Sequence, residues 1–147
     1  MPIIRQILAE KDDSVWSVSE STIVYDALKL MDDKNIGSVL VLDPGGNLVG
    51  IFSERDYARK VVLRGKRSAE TRIHEVMSAR PDTVDPDTPI ETCMQMMTES
   101  RIRHLPVMED GNLIGLVSIG DLVKAIIHHQ QEMIQDMEAY IQGRTGN

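Results

Sequence analysis

The sequence predicts an α+β fold of two strand–helix–strand–strand–helix units packed sheet against sheet, and three observations carry that prediction. The chain repeats itself at a spacing of 66 and then 65 residues. Within each copy an apolar stripe at helical spacing is followed by two β-branched runs around a Gly-Asn turn. Finally, 147 residues hold two such units, each about 60 residues and too small for a robust core alone, so the pair buries its sheets together.

Thr22-Ile-Val-Tyr-Asp-Ala-Leu and Thr88-Pro-Ile-Glu-Thr-Cys-Met stand 66 apart, as do Ser38-Val-Leu-Val-Leu and His104-Leu-Pro-Val-Met. Gly46-Asn-Leu-Val-Gly-Ile-Phe-Ser-Glu-Arg-Asp and Gly111-Asn-Leu-Ile-Gly-Leu-Val-Ser-Ile-Gly-Asp stand 65 apart. The step of one falls in a turn, Asp43-Pro-Gly-Gly-Asn against Glu109-Asp-Gly-Asn. An indel there leaves the strand register on either side intact.

A short leading helix comes first, in segment 1–13, with Ile3, Ile4, Ile7 and Leu8 on one apolar face. The first unit spans 14–64 and the second 76–129, joined by a linker at 65–75 around Gly65-Lys-Arg-Ser. Val18 or Val84 begins a short strand, and Ser21-Thr22 or Asp87-Thr88 supplies a helix N-cap. Val24, Ala27, Leu28 and Met31 make the apolar stripe of the first helix; Ile90, Cys93, Met94 and Met97 make the second. A hairpin follows, and Asp56 or Asp121 opens a second helix, Tyr57–Arg64 or Leu122–His129. In segment 130–147 the last helix continues to about Gln142, with Ile126, Ile127, Met133, Ile134, Met137, Tyr140 and Ile141 apolar and Gly143 as its stop. Its outer turns need a partner surface, and a second copy is the simplest one.

Composition narrows the function. Sixteen Lys and Arg against 23 Asp and Glu leave a net charge of −7, which argues against nucleic-acid or anionic-membrane binding. Cys93 is the only cysteine, so a disulfide framework and a cysteine-based zinc site are excluded. His74, His104, His128 and His129 show no metal-ligand spacing. No apolar run reaches the roughly 18 residues of a membrane span, and the first ten residues do not read as a signal peptide. A reduced, cytoplasmic setting is the expectation. No Ser-His-Asp set, Walker loop or metal cluster marks an enzyme. The methionines Met94, Met96, Met97 and Met108 read as packing, and Cys93, on a core stripe, as an inert thiol.

The repeated Gly-x-x-Ser-x-x-Asp carries the chemistry. A strand ends at Ser118 and a helix begins at Asp121, so the hydroxyl and the open N–H groups of the helix start make an anion site. Asp121 only accepts hydrogen bonds, which suits the two hydroxyls of a ribose diol. The plainer reading is a helix cap with no ligand. Gly115 and Gly120 allow close backbone approach.

Gly50-Ile-Phe-Ser-Glu-Arg-Asp and Gly115-Leu-Val-Ser-Ile-Gly-Asp, with Arg103-His-Leu-Pro-Val before the second, resemble a tandem pair of CBS domains, named for cystathionine β-synthase. The likeness covers roughly residues 14–128 and extends to stand-alone CBS pairs of bacteria and plant organelles. It implies βαββα units about a pseudo-two-fold axis, a homodimer, and regulatory binding of AMP, ADP, ATP, NAD(H) or S-adenosylmethionine in clefts between the units. It also implies that Arg103 and His104 approach the phosphate of a ligand held by Ser118 and Asp121. Arg offers a forked permanent charge there and His a pH-dependent one. The base would lie against Trp16, Ser17, Ile36 and Gly37, with Leu116 beside the ribose; Trp16 is equally readable as a core residue. For the cleft of Ser53 and Asp56 the counterparts are Asp82, Thr83, Ile102 and Arg103, with Ile51, and Arg55 reaches a phosphate or pairs on the surface. Gly37 and Ser38 replace Arg103 and His104 in the first unit, so the Asp121 cleft is the stronger candidate. Leu30 and Met96, equivalent and off the core stripe, mark a dimer face on the Val24–Met31 and Ile90–Met97 helices. Plant organelle relatives suggest a partner enzyme or redox protein.

Overall fold

The computed structural model describes residues 2–11 and 15–145, the side chains of residues 144 and 145 excepted. In chain order its elements are α1 (Ile4–Glu10), β1 (Ser17–Ser19), α2 (Val24–Lys34), β2 (Ser38–Leu42), β3 (Leu48–Ser53), α3 (Glu54–Asp56, continued as a π-helical turn over Tyr57–Val62), α4 (Ile73–Val76), β4 (Ser78–Ala79), α5 (Ile90–Ser100), β5 (His104–Glu109), β6 (Asn112–Ser118) and α6 (Ile119–Thr145). They form two compact units, Ser14–Thr83 and Met1–Asp13 with Val84–Asn147. The expected α+β repeat is present.

In the Ser14–Thr83 unit the sheet order is β1-β2-β3-β4, with β1 parallel to β2 and the remaining pairs antiparallel. Val24, Ala27 and Met31 of α2 pack on Val39 and Val41 of β2 and on Phe52. In the other unit β5 and β6 make the hairpin, and Ile90, Cys93 and Met97 of α5 pack on Leu105, Val107 and Val117. The strand expected at Val84 is a single parallel bridge to Val107, the counterpart, 66 residues on, of Val18 paired with Val41. Each hairpin shifts register at the same place, after Val41 and after Val107. The second turns on Asp110 and Gly111, both at positive φ, the two-residue turn whose twist matches antiparallel strands. The first needs one residue more and has Gly46 at φ 83°.

The domain boundaries differ from the expected ones. Residues 65–75, expected as a linker, and 76–83, expected in the second unit, belong with 14–64. The boundary at 13/14 falls in residues 12–14, outside the described residues. The leading helix belongs to the Val84–Asn147 unit, and α4 occupies the same place in the other. Ile3 bridges Pro89 as Arg72 bridges Ile23. The Ile4 N–H donates to Thr88 O at 3.1 Å, as the Ile73 N–H donates to Thr22 O at 2.8 Å. Each unit is therefore completed by the segment that precedes the other in sequence. Leu8 and Met77 explain Gly115 and Gly50: a Cβ on Gly115 would lie 2.7 Å from Leu8 Cδ2, and one on Gly50 would strike Met77 Sδ.

This arrangement also replaces the expected helix caps. Ile23 and Pro89 are the N-cap residues, and neither Ser21-Thr22 nor Asp87-Thr88 caps through a side chain. The helix-start N–H groups of Val24 and Ile90 are met instead by the carbonyls of Thr71 and Pro2. Asn35 and Arg101, again 66 apart, end α2 and α5 in the left-handed conformation. Gly143 does not stop the last helix, which runs from Ile119 to Thr145; a helical glycine lowers stability by about 1 kcal/mol without forbidding the turn. Leu30 and Met96 lie half-buried on their own unit's core.

Candidate functional site

Strands β3 and β6 end on Ser53 and Ser118, and a helix starts on the next residue in both units. The Asp121 N–H donates to Ser118 Oγ at 3.1 Å, while the Ser118 N–H donates to Asp121 Oδ2 at 2.9 Å. Ser53 and Asp56 do the same at 3.2 and 3.0 Å. Both motifs are thus reciprocal capping boxes, with serine as the cap and aspartate at the third helical position rather than the first. The capping consumes part of the expected anion site. The Ile119 N–H donates to Arg103 O at 2.9 Å, so of the first three N–H groups of α6 only that of Gly120 is left without a partner among the described residues.

The two carboxylates differ in what else they hold. Asp56 accepts from Ser78 Oγ at 2.9 Å and pairs with Lys60 at 3.1 Å, both through Oδ1, while the Ser53 N–H and O–H use Oδ2. Its side chain is 9 % exposed. Asp121 is 25 % exposed, and its second oxygen, Oδ1, has no hydrogen bond among the described residues. Oδ2 pairs at 2.7 Å with Lys11 Nζ, which also donates to Leu116 O at 2.7 Å. Burial raises the Asp121 carboxyl, but the hydrogen bonds from Lys11 and Ser118 outweigh it and hold the group below its usual range. Lys11 escaped the sequence reading because it lies 110 residues from Asp121, at the end of a helix whose place in this unit the repeat did not announce.

His104 pairs with Ser118 across the hairpin, as Ser38 pairs with Ser53. Burial pushes the His104 pKa down, Lys11 and Arg103 push the same way, and Asp121 opposes them, so the imidazole is neutral near pH 7. In the other unit Ser38 Oγ is buried without a partner among the described residues. Arg103, His104, Leu116, Ser118 and Asp121 belong to one unit with Lys11. Arg103 is exposed and Leu116 half-buried.

Ile51, Ser53, Arg55 and Asp56 belong to the Ser14–Thr83 unit, as do the expected base-side residues Trp16, Ser17, Ile36, Gly37, Asp82 and Thr83. Ile51 is half-buried and Arg55 exposed. Trp16 packs against the core with Lys34 Nζ 4.4 Å above its ring, so its indole already serves both packing and a cation. Ser17 and Thr83 are exposed, Ile36 leans on the core, and Gly37 O accepts from the Glu54 N–H. Ile102 packs on the core of the Val84–Asn147 unit. Cys93 is fully buried and its thiol is pushed up to about 11, first by burial and then by Asp85 and Glu91, which makes it a poor nucleophile.

The model of the CBS domain matches twice, over residues 5–63 and 73–128. A mitochondrial CBS domain-containing protein of Arabidopsis thaliana, CBSX3, is 44% identical over 133 residues, covering 88% of this chain. The chain spans 64% of that protein's length. The Bacillus subtilis CBS domain-containing protein YhcV is 34% identical over 108 residues, 74% of this chain and 76% of its own. Among solved structures, a candidate signal-transduction protein with CBS domains from Burkholderia ambifaria superimposes with a TM-score of 0.84 at 48% identity, covering 88% of this chain and 96% of that one. The chain belongs to the CBS-domain family, as a tandem pair. No helix among the described residues is long and apolar enough to cross a membrane.

Proposed function

We propose that the chain is a non-catalytic regulatory module that binds an adenosine nucleotide, AMP or the adenosine half of NAD(H) ahead of ADP and ATP. In this reading the ribose diol binds Asp121, and the phosphate lies near Ser118, Arg103 and His104. The observation that carries this reading is the Asp121 carboxylate. It is charged, capped into a fixed orientation, and has one oxygen without a hydrogen bond among the described residues, at a helix start where the Gly120 N–H is likewise without a partner among them. The Arg103 guanidinium adds a permanent cation on the same unit. A reducing compartment suits the lone buried Cys93, and a mitochondrial matrix meets that condition as well as a cytoplasm. The test is a mass spectrum of small molecules released from purified, denatured protein, followed by melting curves with AMP and NADH. Release of an adenosine compound, or a melting temperature raised by one, supports the reading. The absence of both overturns it.

A second reading, ligand-independent association, draws on α6. Val123, Ile127, Ile134, Met137 and Ile141 follow a heptad spacing and are 41% to 62% exposed. Isoleucine stands at 127, 134 and 141, one position of the repeat, with Val123, Gln130 and Met137 at the other, a largely apolar seam that a second helix can cover. The proposed occupant is therefore the same helix of a second copy, and hexameric CBS-CP12 from cyanobacteria is an assembling protein of similar fold. Sedimentation at tens of micromolar should give a mass above 16.5 kDa. Ile134→Glu should restore the monomer mass, and a wild-type monomer would refute the pairing.

A further inference from the structure

Lys11 is anchored at its root and part-exposed at its tip. Helix α1 is held by Ile4 and Ile7, 0 % and 8 % exposed, and by Leu8 against Gly115, so the backbone at Lys11 has little freedom. Its four-carbon stem ends in an ammonium shared by Asp121 Oδ2 and Leu116 O, at 2.7 Å each. The Lys11 side chain is 34% exposed, which leaves it room to swing. In the other unit the aspartate is held by Lys60 from its own helix and by the Ser78 hydroxyl, and is far more enclosed.

We propose that Lys11 is a displaceable counter-ion that makes the Asp121 site select phosphate-bearing ligands over neutral nucleosides. This rests on the reading that a ribose diol binds Asp121. A diol that takes both carboxylate oxygens must take Oδ2 from Lys11. With a neutral nucleoside the ammonium then loses its direct charge-assisted bond to Asp121 and is left near His104 and Arg103 with no second anion to replace it. With a nucleotide, the phosphate expected near His104 and Arg103 receives the same ammonium. The flexible stem allows the exchange without moving α1. Lys11 thus contributes nothing to diol recognition and a large part of the discrimination between adenosine and AMP.

The experiment is calorimetric titration of the full chain and of Lys11→Met, which keeps the stem and removes the charge, with adenosine and with AMP. Wild type should prefer AMP over adenosine, and Lys11→Met should shrink that ratio by about tenfold or more, through weaker AMP and equal or tighter adenosine binding. Lys11→Arg should restore most of the preference. A purely structural role would lower the melting temperature of Lys11→Met without changing the ratio. AMP bound by wild type and Lys11→Met with an unchanged ratio would overturn the role of Lys11 and leave the nucleotide reading standing. Binding of neither compound by either protein would remove AMP from the nucleotide reading and, with it, this role.

Discussion

The two units share a frame and differ in how their helix-start aspartates are neutralised. Asp56 takes Lys60 from one turn further along its own helix, together with the Ser78 hydroxyl from β4. The position equivalent to Lys60, 65 residues on, is Ala125, which packs against the core, and Asp121 draws its cation from the end of α1 instead. The reciprocal capping bonds, the register shift and the left-handed helix end recur in both copies because short-range backbone geometry dictates them. The availability of the carboxylate is set by residues outside the motif. Asp56 is nearly closed, whereas Asp121 keeps an oxygen and a quarter of its surface open.

The largest expected effects test which segment completes which unit. Ile4→Ala and Ile73→Ala each empty a fully buried site and should lower stability by about 2–5 kcal/mol. Hydrogen exchange should show Ile4→Ala loosening the Val84–Asn147 amides first, and Ile73→Ala those of Ser14–Thr83. The opposite assignment would break the account of the exchanged segments. Next come the tight glycines. Gly50→Ala should destabilise more than Gly115→Ala, because its Cβ also meets the Ser78 carbonyl at 3.1 Å, whereas at Gly115 only the flexible Leu8 must give way. Overpacking of this kind costs about 1–3 kcal/mol, and urea melts of the pair would read the difference.

Smaller still is loss of the caps: Ser53→Ala and Ser118→Ala should each lower stability by about 0.5–2 kcal/mol. Similar values in a denaturant series would support equivalent boxes, and a null effect at either would contradict the capping geometry. The smallest effect is on pH dependence. The native His104 pKa lies below its ordinary 6.5, so between those two values the unfolded chain binds more protons. Stability should therefore fall as the pH drops from about 6.5 towards the native value and level off below it. Asp121, also held low, adds a second loss below about pH 3.8 as its native pKa is crossed. His104→Gln should flatten the upper slope and leave the lower one, as melting curves between about pH 2 and pH 8 would show.

Much of this was legible in the sequence. The offsets of 66 and 65 located both hairpins, both helix stripes and both Ser-Asp motifs, because those elements are defined by local pattern. What stayed hidden was long-range. Pro2-Ile-Ile-Arg-Gln-Ile-Leu and Thr71-Arg-Ile-His-Glu-Val-Met carry apolar residues at matching places, at a spacing of 69 rather than 66. That shift, across a linker of different length, disguised a third shared segment. Lys11, Ser78 and the backbone caps of α2 and α5 all come from these segments, so the site's charges could not be assigned from the motif alone. The motif alone predicts Asp121 as the first helical residue, because a carboxylate and a hydroxyl are both good caps and only the folded backbone distinguishes them.

The central claim is that the open aspartate binds ligand and the enclosed one matters less. Isothermal calorimetry with AMP on wild type, Asp121→Ala and Asp56→Ala tests it most directly. Losing charge-assisted hydrogen bonds at Asp121 should weaken binding by about 10- to 100-fold, with Asp56→Ala close to wild type. Undiminished binding by Asp121→Ala beside a loss in Asp56→Ala would contradict the account, and undiminished binding by both would remove the diol from either carboxylate.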